Sequence, residues 1–215
     1  MDSIEAVALA LAAAWGSGIS LYATVAILGA LDLLGVVDLP PALDTIASPW
    51  VVAAAAALYG VEFLADKIPG IDSVWDAIHT FLRIPAGALL ASGAAAGLGG
   101  EWGAILALIA GGAISAGTHA TKAGSRVMIN ASPEPFTNWL ASFAGDFLVI
   151  GGLLLAVLKP VAFLVFLGLF AAVAVWLLPK IWRGIRSFFG GLSHPGDFRK
   201  QRPFEGTADP WGRKR

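Results

Sequence analysis

The sequence predicts an all-α, polytopic transmembrane helix bundle of about six spans, on three observations. Hydrophobic residues make up 57% of the 215-residue chain and charged residues only 13%, about half of the roughly 25% that soluble domains carry. Too few polar side chains remain to cover the surface of a soluble fold. Mean hydropathy is +0.76, and the apolar residues gather into runs that approach or exceed the ~20 residues a membrane helix needs.

Six runs follow in order. Residues 4–36 are too long for one straight span, and Gly16-Ser17-Gly18 is the expected interruption. Residues 49–64 contain five consecutive alanines, Ala53 to Ala57, which suit close helix packing. Residues 73–97 contain Pro85 and Gly87, the expected kink. Residues 102–129 and 136–158 form the fourth and fifth spans. The sixth opens at Pro160, a favourable first-turn residue, and ends near Pro179. A basic aromatic extension follows, with Lys180, Trp182, Arg183 and Arg186. Residues 1–190 therefore read as the transmembrane domain. Residues 191–215 read as a flexible basic cytoplasmic tail without apolar period. The amino terminus carries Asp2 and Glu5 instead of a positive n-region, so it reads as mature structure.

Basic residues cluster in alternate loops, at Lys67, at Lys122 and Arg126, and throughout the tail, with Lys159 on the other side. Six spans then put both termini in the cytoplasm of a cell (inner or plasma) membrane. Net charge is −1 and there is no cysteine. A nucleic-acid footprint, thiol chemistry and Cys-based metal sites are thereby excluded.

The two halves echo each other. Ser48-Pro49 and Glu62-Phe63-Leu64 recur as Ser132-Pro133 and Asp146-Phe147-Leu148, both at an offset of 84 residues, and Tyr59 aligns with Phe143. A weaker echo links residues 16–20 to 111–115. Repeat one covers about 4–97 and repeat two about 101–188. Three spans each make the repeats inverted, an architecture common among secondary transporters.

Ionisable residues inside such spans are the candidate site. Glu62 and Asp146 read either as a pseudo-symmetric pair of proton or cation sites, or as carboxylates held by a neighbouring Lys or Arg. His119, Lys122 and Arg126 share one helix face by their spacing of three and four. That stripe suits an anionic or phosphate-bearing substrate, a lipid head group, or a counter-charge for Asp146 and Glu134. Asp72, Asp76, His79 and Arg83 form a second stripe. The first three residues suit a hard metal; an Asp76–Arg83 or Lys67–Asp72 ion pair is the alternative. Asn138 joins the set beside the Pro133-Glu134-Pro135 break, since broken segments line cavities.

Several segments resemble a known family: residues 62–76 (EFLADKIPGIDSVWD), residues 81–88 (FLRIPAGA), His119-Ala120-Thr121-Lys122-Ala123 through Arg126, and residues 130–139 (NASPEPFTNW). They resemble the DUF4126 family of membrane proteins, over roughly residues 10–158. The resemblance implies an uncharacterised integral membrane protein. It also implies a second acid before Asp146, a place taken here by Gly145.

No nucleophile elbow, phosphate-cradling Gly loop or HExxH motif is present, so the chain reads as a non-enzyme without a cofactor. The expected function is a small transporter, proton- or cation-coupled, for an anionic small molecule or lipid head group. Arg83 and Lys67 would join the substrate-binding cations, and a homodimer is expected because six helices make a thin wall. An ion channel and a non-transporting scaffold or assembly factor are the alternatives.

Overall fold

A computed structural model describes residues 1–130 and 135–192. The described residues are almost wholly helical. The helices are α1 (Ser3–Ile19), α2 (Leu21–Leu33), α3 (Pro49–Ala65), α4 (Ile71–Ala94), α5 (Gly100–Asn130), α6 (Pro135–Leu158) and α7 (Pro160–Leu192), with a short 3₁₀ turn at Pro41–Leu43. Ser132-Pro133, Glu134 and the tail from residue 193 lie outside the described residues.

Among the described residues, three helices are long and apolar enough to cross a membrane: Gly100–Asn130, Phe136–Leu158 and Pro160–Arg186. Around an apolar core, large aromatic side chains stand on the outside of the bundle while a set of charged ones is enclosed within it. Trp50, Phe81 and Trp102 are 86%, 82% and 76% exposed, while Asp72 and Arg83 are 0% and Glu62 and Asp76 1% exposed. Aqueous solvent would drive the opposite distribution; a lipid surround accounts for it.

The first apolar run departs from the expected single span. Gly16 and Gly18 sit inside α1, and the break falls at Ser20, whose backbone is extended at φ −150° and ψ 107°. Ser20 caps α2 by accepting from the Ala23 amide at 3.2 Å, so one helix ends and the next begins around a single residue. The chain then doubles back. A Cβ on Gly16 would lie 2.6 Å from Thr24 Oγ1, although eight residues of straight helix would separate the two by about 12 Å.

Neighbouring contacts fix the direction of each arm. Ser17 bonds the carbonyl of Arg83 and Ala14 approaches Gly87, so α1 runs antiparallel to α4. Ser20 meets Glu62 while Gly29 packs on Val52, so α2 runs antiparallel to α3. Thus α1 and α2 form a hairpin that enters and leaves at the same end of the bundle, with Ile19 and Ser20 at its tip.

Helices α3 to α7 then run the length of the bundle in alternate directions. Pairs Tyr59–Asp146 and Trp139–Lys67 make α3 and α6 antiparallel. Ser115–Arg83 and Asn130–Ser73 do the same for α4 and α5. Ser3 and the carboxyl end of α7 therefore lie at opposite ends. The hairpin thus replaces the single through-going first helix expected from the sequence.

Helix α1 is the buried axis of the fold, with Ala12, Ala13, Ala14 and Trp15 wholly enclosed. Trp15 sits edge-on to Phe163, Phe166 and Phe170 of α7, at centroid distances of 6.0, 5.3 and 5.7 Å. Glycine provides the close approaches: a Cβ on Gly87 would lie 2.6 Å from Ser115 Cβ. Gly87 thus serves helix contact, and α4 continues through Pro85 as one helix. Helix α7 likewise passes through Pro179, so the basic extension prolongs that helix rather than following it.

Candidate functional site

The hairpin tip ends on a buried ionic network built by α3, α4 and α5. Helix α4 turns Asp72, Asp76, His79 and Arg83 inward at helical spacing and turns Val74, Ile78, Phe81 and Leu82 outward. Helix α5 contributes His119, Lys122 and Arg126 in the same way, and the end of α3 contributes Glu62 and, one turn on, Asp66.

Arg83 bridges two acids, bonding Glu62 Oε1 through Nη2 and Asp76 Oδ1 through Nη1, the latter at 2.8 Å. Lys122 Nζ donates to Asp66 Oδ2 at 2.9 Å and to the Ile19 carbonyl at 2.8 Å. It stands 3.7 Å from Glu62 and 3.6 Å from Asp76. Arg126 reaches Asp66 Oδ2 at 3.0 Å, Asp72 Oδ2 at 3.2 Å and Asp76 Oδ2 at 3.9 Å. Asn130 donates to both oxygens of Asp72. Such charges persist away from water because they compensate one another; removing one partner of a buried pair costs about 3–5 kcal/mol.

The hairpin tip completes the network. Ser20 Oγ donates to Glu62 Oε2 at 2.6 Å, which puts a carboxylate at the amino terminus of α2. The carbonyl of Ile19, at the carboxyl end of α1, faces the Lys122 ammonium. Both placements match the sign of the helix dipole at those ends. Gly18 permits the seating, since a Cβ there would lie 2.6 Å from the Ser115 carbonyl oxygen and 2.7 Å from Thr118 Cβ.

His79 and His119 are both held by hydrogen bonds from two sides, and the Arg83 donor fixes Nδ1 of His119 as an acceptor. Arg83 Nη1 donates to His119 Nδ1 at 3.3 Å, leaving Nε2–H to donate to Thr80 Oγ1 at 2.7 Å. Thr80 passes its own proton to the Asp76 carbonyl at 2.9 Å. His79 Nδ1–H donates to the Trp75 carbonyl at 2.8 Å, and its Nε2 shares a hydrogen bond with the Tyr22 hydroxyl at 3.1 Å.

Asp146 belongs to a separate pair. Lys67 Nζ lies 3.4 Å from it and 3.0 Å from the Phe63 ring centroid, and Tyr59 donates to its other oxygen at 3.1 Å. Asn138 packs beside this pair, its amide 3.5 Å from the Asp66 carbonyl.

With these contacts, Glu62, Asp72, Asp76, Arg83, His119, Lys122 and Arg126 converge, Lys67 with Asp146 and Asn138 flanks them, and His79 stands apart. Three readings change. The metal set does not form: Asp72 is held by Arg126 and Asn130, Asp76 by Arg83, and His79 by Tyr22 and Trp75. Among the described residues, no group of three His, Asp or Glu is arranged to hold a metal ion. The stripe on α5 forms, but Lys122 and Arg126 are engaged by carboxylates and His119 by Arg83 and Thr80, so none of the three stands free. Finally, Asp146 is countered by Lys67 rather than by the α5 stripe. Asp66, Ser17, Ser20, Tyr22, Tyr59, Thr80 and Asn130 were not among the candidate site residues read from the sequence. Only Asp66 had a signal, at four residues beyond Glu62 on the same face.

The family model for DUF4126, a domain of unknown function, matches residues 7–180. The chain belongs to the DUF4126 family. The matched DUF4126 region contains the hairpin tip and every residue of the network. Comparison with curated proteins and with solved structures finds no match.

Proposed function

We propose that this DUF4126 protein is a multi-pass membrane carrier whose hairpin tip and ionic network form the coupling site. One observation carries the reading: a broken helix pair enters from one end and is latched at depth to a buried network of opposite charges. Helix breaks inside a bilayer expose backbone groups that must be satisfied, and they occur where a site or cavity needs them. Here Lys122 satisfies one exposed carbonyl and Glu62 faces the exposed helix start. A proton or cation arriving at the network changes those bonds and so frees or seats the tip.

Four carboxylates, Glu62, Asp66, Asp72 and Asp76, face three cations, Arg83, Lys122 and Arg126. One negative charge is left over, which supports a positively charged coupling species or substrate over an anionic one. The opposed directions of α3 and α6 also favour an inverted relation between Glu62 and Asp146, which two alternately exposed halves would use.

Basic residues Lys180, Arg183 and Arg186 gather with Lys67 at one end, while Asp2, Glu5, Asp38, Asp44 and Glu101 lie towards the other. We assign the basic end to the cytoplasm, which places the amino terminus outside. Liposomes containing the purified chain should show saturable flux under an imposed pH or cation gradient, and Glu62→Gln should abolish it. Absence of flux across a solute panel, or unitary currents of channel size in a planar bilayer, would overturn the carrier reading.

A further inference from the structure

The three cations of the network can be matched to acids one by one. Arg83 makes its closest contact with Glu62, Lys122 donates to Asp66 at 2.9 Å, and Arg126 reaches Asp72 at 3.2 Å. Asp76 is the acid that this matching leaves without a cation of its own, although Lys122 stands 3.6 Å and Arg126 3.9 Å from it. Its Oδ1 shares the Arg83 guanidinium. Its Oδ2 is buried without a hydrogen-bond partner, with Arg126 Nε 3.9 Å away.

Asp76 also lines a cavity of about 380 Å³ between α4, α5 and α7. The volume falls within the range of small-molecule sites, ~300–1,000 Å³. Ser73, Thr80 and His119 contribute polar groups beside Asp76, and Ile181, Ile185 and Trp182 contribute carbon surface. Asp66 Oδ1 is buried without a hydrogen-bond partner as well, but Asp76 is the acid of the network that lines this cavity.

We propose that this cavity binds a small organic ammonium ion, its cationic head on Asp76 and its apolar body against α7. The proposal rests on the carrier reading and gives it a substrate class. An ammonium N–H supplies the donor that Asp76 Oδ2 lacks and brings the network to neutrality. A bare alkali ion requires a shell of oxygens in place of its water; the Ile181, Ile185 and Trp182 side leaves most of such a shell unmade. An organic cation uses that side, and an indole ring is a surface cations favour. A neutral molecule of the same shape leaves the extra charge uncompensated.

Calorimetric titration of the detergent-solubilised full chain with n-butylammonium chloride tests the assignment, with n-butanol and sodium chloride as comparison ligands. Saturable binding is expected for butylammonium alone. Asp76→Asn should weaken it by about 30-fold or more, the loss expected for one partner of a buried charge pair. Ala123→Phe, which fills the cavity without touching an ion pair, should abolish it with the thermal transition retained. Equal binding of butanol, undiminished binding by a folded Asp76→Asn protein, or no saturable heat from the wild type would each overturn the assignment. Should liposomes carry solute while butylammonium does not bind, the cavity assignment falls and the carrier reading stands. Saturable binding with no flux of any solute gives the reverse.

Discussion

Glu62 and Asp146 occupy matching places in the repeat frame yet meet different surroundings. Glu62 is enclosed by Arg83, Lys122 and Ser20, whereas Asp146 sits at the edge of the network with Lys67 and Tyr59. Replacing Glu62 with Gln takes one of two carboxylates from the buried Arg83 guanidinium and leaves it on Asp76 alone. Thermal or denaturant unfolding in detergent should therefore show a loss of about 3–5 kcal/mol. The Lys67–Asp146 pair is partly accessible and 3.4 Å apart, so Asp146→Asn should cost less than Glu62→Gln by the same measurement. Equal losses would mean that the two acids play the same structural part. Ser20→Ala removes both a helix cap and a bond to a carboxylate, with an expected cost of about 1–3 kcal/mol. This change leaves every salt bridge intact, so it isolates the seating of the tip from the stability of the network.

At the scale of elements, most helices were legible in the sequence because apolar runs and helix-starting prolines mark them directly. Pro49 and Pro160 begin α3 and α7 as expected, and the inward stripes of α4 and α5 follow from spacing alone. The hairpin was not legible. An apolar run of 33 residues looks the same whether it crosses once with a bend or turns back at depth. The deciding contacts, Gly16 with Thr24 and Ser20 with Glu62, involve tertiary neighbours that hydropathy does not encode. The partner of each charge was hidden for the same reason: Asp66 and Lys122 are 56 residues apart in sequence and 2.9 Å apart in space. Glycine use offers a test at this scale. Gly18→Ala places a Cβ against the backbone oxygen of Ser115, which has little room to yield, so the tip should not seat and liposome flux should fall at least tenfold. Gly145→Ala meets nothing closer than Ile19 Cγ2 at 3.9 Å and should keep flux near wild type. Equal flux from the two variants would show that tip seating is not required for transport.

For the whole molecule, the hairpin decides which end of the chain faces which side of the membrane. A through-going first span would put Ser3 on the same side as Arg186, with Lys159 opposite. On the proposed topology, in which each of α3 to α7 crosses once, a re-entrant pair puts Ser3 with Lys159 and opposite Arg186. The chain contains no cysteine, so single substitutions report position without background. In intact cells, Ser3→Cys and Lys159→Cys should both react with a membrane-impermeant maleimide, and Arg186→Cys should react only after permeabilisation. Reaction of Ser3→Cys together with Arg186→Cys, and not with Lys159→Cys, would mean that α1 and α2 cross as one span. The tip would then no longer lie on the network at the depth the coupling site requires. Reaction of Arg186→Cys from outside, with Ser3→Cys and Lys159→Cys protected, would keep the hairpin but invert the molecule. It would turn the α4, α5 and α7 cavity towards the exterior, because Trp182 and Ile185 line it at the same end of α7 as Arg186.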